Sequence, residues 1–110
     1  MIIAEYQHPQ LFSLRIARNM PGDLQILFRF RNGYGASVVQ NGISYGRGDR
    51  YELAVIRYLG PGDDEREICY ETPITADVIG HLSISAVHKI LNDIGALGPD
   101  AFALPGAMLD

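Results

Sequence analysis

Leu24, Ile26, Phe28 and Phe30 recur at every second position, with Gln25, Leu27, Arg29 and Arg31 between them. A period of two puts the two sets on opposite faces of an extended chain, so this segment is predicted to be a half-buried strand. Asn32-Gly33 follows at once. That dipeptide suits the two positive-φ positions of a type I′ turn and predicts a tight hairpin. The partner strand is residues 34–40, where glycines on both sides of Tyr34 indicate a bulge or a close backbone approach. Residues 51–59 form a third strand, with Leu53, Val55 and Arg57 on one face and Ala54, Ile56 and Tyr58 on the other. Apolar side chains on both faces place it inside the sheet. Gly60-Pro61-Gly62 breaks it, and residues 67–71 make a fourth, short strand.

The flanks are less regular. Residues 1–6 form a short strand. Pro9 suits a first helical position, but Phe12, Leu14 and Ile16 alternate with Ser13, Arg15 and Ala17, which favours a strand ending in a turn at residues 19–23. Residues 41–50 are a polar, Gly-rich loop. Residues 72–80 read as a connector with a turn of helix near Asp77. Ser83 or Ser85 then caps a helix to about Ile94, with Gly95 as the residue just past its end. Ile84, Val87, Ile90, Leu91 and Ile94 form one apolar stripe, which must lie on the sheet. The expected fold is α+β: an antiparallel β-meander of four or five strands packed against one C-terminal helix. Residues 1–97 form a single domain, and residues 98–110 an apolar tail containing Gly and Pro.

Composition agrees with a globular chain: 47% hydrophobic and 20% charged over 110 residues. Cys69 is the one cysteine, so no intrachain disulfide forms and the cytoplasm is the expected compartment. No run is long and apolar enough to span a membrane, and the N-terminus lacks a signal-peptide pattern. The net charge of −4 argues against direct nucleic-acid binding. Its distribution is uneven. Residues 1–60 hold seven Arg against four acids, and residues 61–110 hold Arg66 and Lys89 against nine acids.

No catalytic arrangement is evident, and no enzymatic activity or cofactor is expected. His81 and His88 lie outside the spacing of a helical zinc pair, and no second cysteine completes a Cys/His set. Cys69 suits a small buried hydrophobe better than a nucleophile. The glycine clusters at 32–35 and 42–48 lie between strands, where phosphate loops do not occur. Arg47-Gly48-Asp49 matches an integrin tripeptide by letter alone. Two candidate binding surfaces remain. Arg29, Arg31, Arg47, Arg50 and Arg57 accompany Tyr34 and Tyr45 along the sheet region. Tyr and Arg serve as interface anchors, or stack on and clamp a nucleotide; equally, Tyr simply suits strands. Asp63, Asp64 and Glu65, with Glu67 and Glu71, form an acidic patch that reads either as a solvated hairpin end or as a contact for a basic partner such as a nuclease.

The run Phe28-Arg29-Phe30-Arg31-Asn32-Gly33-Tyr34-Gly35-Ala36-Ser37-Val38-Val39 resembles a family of short phage and prophage proteins. The resemblance continues through Ser44-Tyr45-Gly46, Tyr51-Glu52-Leu53-Ala54-Val55-Ile56, Tyr70-Glu71-Thr72-Pro73-Ile74-Thr75 and Asp77-Val78-Ile79-Gly80-His81-Leu82-Ser83. It covers about residues 24–97. Members more often carry a Gly-rich acidic loop after the position of Tyr45-Gly46, where this chain has Arg47 and Arg50. The resemblance implies a phage-encoded accessory protein that binds a host protein without catalysis, such as an anti-CRISPR inhibitor of host defence acting on a nuclease or another effector. A nucleotide- or anion-binding module, and a structural protein of phage assembly that forms a homodimer or larger homo-oligomer, are the alternatives.

Overall fold

The computed structural model describes residues 6–20, 23–40, 51–62, 64–70, 72, 74 and 79–99, with the side chains of residues 18–20, 23 and 81 left aside. Among these residues six strands and one helix follow in chain order: β1 (Leu11–Met20), β2 (Asp23–Phe30), β3 (Tyr34–Gln40), β4 (Tyr51–Tyr58), β5 (Arg66–Ile68), β6 (Ile79–Leu82) and α1 (Ile84–Gly95). The strands run β1-β2-β3-β4-β5 as an antiparallel meander, and β6 also pairs with β4. The expected α+β architecture is therefore present.

One sheet face carries most of the core. Register aligns Leu14, Phe28, Ala36 and Val55 in one row, and Ile26, Val38, Leu53 and Ile79 in the next. α1 lies over this face with Val87, Leu91 and Ile94 fully buried, and Tyr6 joins the same cluster. Each such apolar side chain contributes about 1.5–3 kcal/mol on burial. Ser83 is the N-cap, its Oγ accepting from the Ala86 N–H at 3.1 Å.

Several expectations need correction. The β2–β3 connection has three residues, Arg31, Asn32 and Gly33, instead of two. The Gly33 N–H donates to the Phe30 carbonyl at 3.2 Å, and the positive φ of 93° falls on Gly33. This is the longer hairpin class, a turn followed by a left-handed glycine. It aligns Arg29 with Gly35, whereas a two-residue loop would oppose Arg31 to Tyr34. A slip of one residue moves every side chain of a strand to the other face. β2 is not half-buried either, because Leu27 and Arg29 on its second face are 3% and 2% exposed. In β1 a register shift between Leu11 and Ser13 takes Phe12 out of the alternation. Phe12 is then 49% exposed, and Ile16, next to a second register shift between Ile16 and Arg18, is 44% exposed.

β6 falls where a connector was expected. β5 occupies β4 only at Ile56–Tyr58, leaving the Tyr51–Leu53 end open, and β6 fills it. The fourth strand is Arg66–Ile68, shorter and earlier than residues 67–71, although the Cys69 N–H still reaches the Val55 carbonyl at 2.8 Å. Gly95 lies inside α1, and Ala96 is the C-cap. A side chain at Gly95 would meet His8 Cε1 at 2.8 Å and Phe30 Cε1 at 3.0 Å, so the glycine answers a packing need. Tyr6 belongs to no strand. The turn expected at 19–23 is narrower, since Asn19 and Met20 belong to β1 and Asp23 to β2, while residues 1–5, 21–22 and 41–50, the turn of helix expected near Asp77 and most of the tail lie outside the described residues.

Candidate functional site

The sheet face opposite α1 is the candidate binding surface. No helix covers it among the described residues. Strand alternation sends every second side chain here, and register sets the rows: Arg15, Leu27, Ser37 and Ala54 in one, Ser13, Arg29, Gly35, Ile56 and Ile68 in the next. The middle of each row is small. Gly35 has room for nothing else: an added Cβ would collide with the Phe28 carbonyl oxygen and come within 2.9 Å of Tyr58 Cε2. Small side chains between larger ones leave a depression of about 260 Å³ lined by Gln25, Ser37, Ala54, Ile56, Arg66, Glu67 and Ile68. Gln25 Nε2 donates to Ser37 Oγ at 2.9 Å across its floor. Ile68 stands at its rim, 48% exposed.

Arg29 anchors one end of this face. Its Nη1 and Nη2 donate to the carbonyls of Pro61 and Gly60, both at 2.8 Å, and its guanidinium carbon lies 4.3 Å from the Tyr58 ring centroid. Tyr58, Ile56 and Leu27 form a second buried cluster beneath it. Arg29 thus ties β2 to the turn after β4, a structural position. Phe12 turns toward the same end, 5.9 Å from Arg29 and 5.4 Å from Arg31.

The remaining predicted site residues divide. Tyr34 packs against the main core, and its N–H donates to Asn32 Oδ1 at 3.0 Å. Arg57 is the register partner of Tyr34 and pairs with Glu67 at 2.6 Å. Neither shares a face with Arg29, so a clamp drawing on all three does not form. Asp64 and Glu65 are exposed in the β4–β5 turn, where the Glu65 N–H donates to the Gly62 carbonyl at 3.1 Å. Tyr45, Arg47, Arg50 and Asp63 lie outside the described residues. Sequence reasoning missed Phe12, Arg15, Ser37, Ala54, Arg66 and Ile68. The available signal was the run of small residues at 35–37 with Ala54.

A polar cluster closes the opposite side of the molecule. The Tyr6 hydroxyl donates to Asn92 Oδ1 at 2.7 Å, and its ring meets His88 edge-on at 5.4 Å. Burial pushes the Tyr6 phenol up to about 12 and the His88 imidazole down from its ordinary value. His88 Nε2 has no hydrogen-bond partner among the described residues. Among those residues no group of three or more His, Cys, Asp or Glu could hold a metal ion, and no helix is long and apolar enough to cross a membrane.

Neither a protein-family model, nor a curated protein, nor a solved structure matches this chain.

Proposed function

We propose that this chain is a phage-encoded accessory protein that binds a host protein without catalysis and so inhibits a bacterial defence, as anti-CRISPR proteins do. The resemblance across residues 24–97 supplies the phage context. The observation that carries the binding role is the face opposite α1. There Phe12 and Ile68 are 49% and 48% exposed, with Arg15 and Arg66 on the same side of the sheet. Apolar side chains bordered by arginines make a surface suited to a protein partner. The test is phage plating on bacteria expressing the chain, each strain carrying one defined defence. Plating should rise in one of them and return to the control level with Ile68→Asp. Unchanged plating across CRISPR and restriction strains would remove this reading.

The depression beside Arg66 supports a second reading, a small anionic ligand held by Arg66 with Gln25 and Ser37. Calorimetry against a nucleotide panel should then show binding that Arg66→Ala abolishes, and flat titrations would dismiss it.

A further inference from the structure

We infer that Asn32-Gly33 is a site of spontaneous modification: an asparagine deamidation that the end of α1 holds shut, and that keeps that end from docking again once it has occurred. The chemistry needs only the dipeptide and water. The Gly33 backbone nitrogen attacks Asn32 Cγ, the bond from Cγ to Nδ2 breaks, and ammonia leaves with the proton of the Gly33 amide. Water then opens the cyclic imide at either carbonyl, leaving aspartate or isoaspartate in place of asparagine. Nothing is oxidised or reduced. Asparagine is a labile residue, and a glycine after it has no side chain to hinder the attack. The fold calls for both residues. Gly33 takes a φ of 93°, and Asn32, 1% exposed, fastens the hairpin to the helix. A reactive pair therefore sits at that joint.

Folding keeps the reaction from starting. Asn32 Nδ2 donates to the Ile94 and Leu97 carbonyls at 2.8 and 3.1 Å, and Oδ1 accepts from the Tyr34 N–H at 3.0 Å. The Gly33 N–H donates to the Phe30 carbonyl at 3.2 Å. Attack needs the side chain to turn toward the Gly33 nitrogen and that nitrogen to give up its proton, so these bonds must open first. The two from Nδ2 run to the last turn of α1 and to the residue after its cap. Helix ends open locally at low cost, and that opening is the gate. The product does not fit the joint again. Aspartate keeps an acceptor for the Tyr34 N–H but has no donor for the two carbonyls, and it places a charge in a buried position. Isoaspartate lengthens the backbone of the corner by one carbon. Either way the end of α1 stays unfastened, whatever the open face of the sheet binds.

The test keeps the full chain in mildly alkaline buffer, once folded and once in guanidinium chloride, and follows Asn32 by peptide mapping with mass spectrometry. The folded chain should deamidate there at least about tenfold more slowly than the denatured one. Gly95→Ala puts a Cβ 2.8 Å from His8 Cε1 and 3.0 Å from Phe30 Cε1, so it should lift the end of α1 and raise the rate at Asn32 in a chain that still melts cooperatively. Should that variant fail to fold, hydrogen exchange in Asn32→Asp decides. The Ala96 and Leu97 amides, which donate to the Asn92 and Ile94 carbonyls, should exchange faster than in the wild-type chain, while the β2 amides keep their rates. Equal deamidation in the folded and denatured chains would overturn the inference, as would no reaction in denaturant. So would a folded Gly95→Ala chain that reacts no faster, or an Asn32→Asp chain with unchanged exchange at Ala96 and Leu97.

Discussion

The two faces of one sheet are built on opposite plans. The face under α1 is filled from the centre outward with large apolar side chains, Phe28, Phe30, Ile26 and Val55 among them, all at most 1% exposed. The other face has Gly35, Ser37 and Ala54 in its middle and a buried arginine at one end. Both faces come from the same strands, so backbone pairing cannot account for the contrast. Side-chain volume does: one face is packed to exclude everything, and the other keeps a depression and half-exposed apolar groups at its rim. Most of the stability should therefore reside under the helix, with a smaller share in the Leu27, Ile56, Tyr58 and Arg29 cluster of the far side, and recognition at that side's exposed rim.

The largest expected effect tests the packed face. Phe28→Ala removes a fully buried ring and should cost about 3–5 kcal/mol. Chemical denaturation measures this, and a cost near that of a surface substitution would break the contrast. Arg29→Ala comes next, at about 2–3 kcal/mol, because the Gly60 and Pro61 carbonyls lose charged donors inside the protein. Asn32→Ala should follow at about 1–2 kcal/mol. Asn32 is 1% exposed, and its Nδ2 donates to the Ile94 and Leu97 carbonyls at 2.8 and 3.1 Å, fastening the hairpin to the end of α1. Asn32→Asp keeps the acceptor for the Tyr34 N–H but loses both donors, so it should destabilise as well.

Much of the packed face was legible in the sequence, and little of the other. Period two in β2 and the stripe of α1 are local patterns, and both survive in the structure. The position of Tyr34 depends on whether the hairpin loop has two residues or three, and that single residue decides which face Tyr34 and its partner Arg57 join. Arg29 occupies a polar place in the alternation, and what buries it is a backbone turn some thirty residues later. β6 has Gly80 and His81 at its centre and exists because β5 leaves half of β4 unpaired. Features set by long-range register or by another strand's length leave no local trace.

Acid and base give a smaller effect, also confined to the helix side. Tyr6 ordinarily ionises near 10 and is held up to about 12, so its contribution is complete below pH 10 and is lost as pH rises from 10 toward 12. His88 is shifted the other way. Its neutral form is favoured in the folded state, so the contribution is complete above its ordinary value of 6.5 and is lost as pH falls below that. Melting temperatures across pH should show a plateau between these limits. His88→Phe should flatten the acidic limb and leave the alkaline one, which Tyr6→Phe should reduce and Tyr6→Phe with Tyr51→Phe reduce further, since burial also pushes the Tyr51 phenol up. An acidic limb unchanged by His88→Phe would place the acid sensitivity elsewhere.

The smallest expected effect on stability is the most informative for the open face. Ile68→Ser removes a side chain that is already 48% exposed at the rim of the depression. It should change unfolding free energy by no more than about 0.5 kcal/mol, as surface substitutions do. If that face is a docking surface, the same substitution should weaken partner capture in plating and binding assays while the fold is untouched. Phe28→Ala would do the reverse at low temperature, where the destabilised chain remains folded and its far face is intact. A stability loss at Ile68 comparable to that at Phe28 would mean that the rim of the depression is core as well, and the division of labour between core and rim would fall.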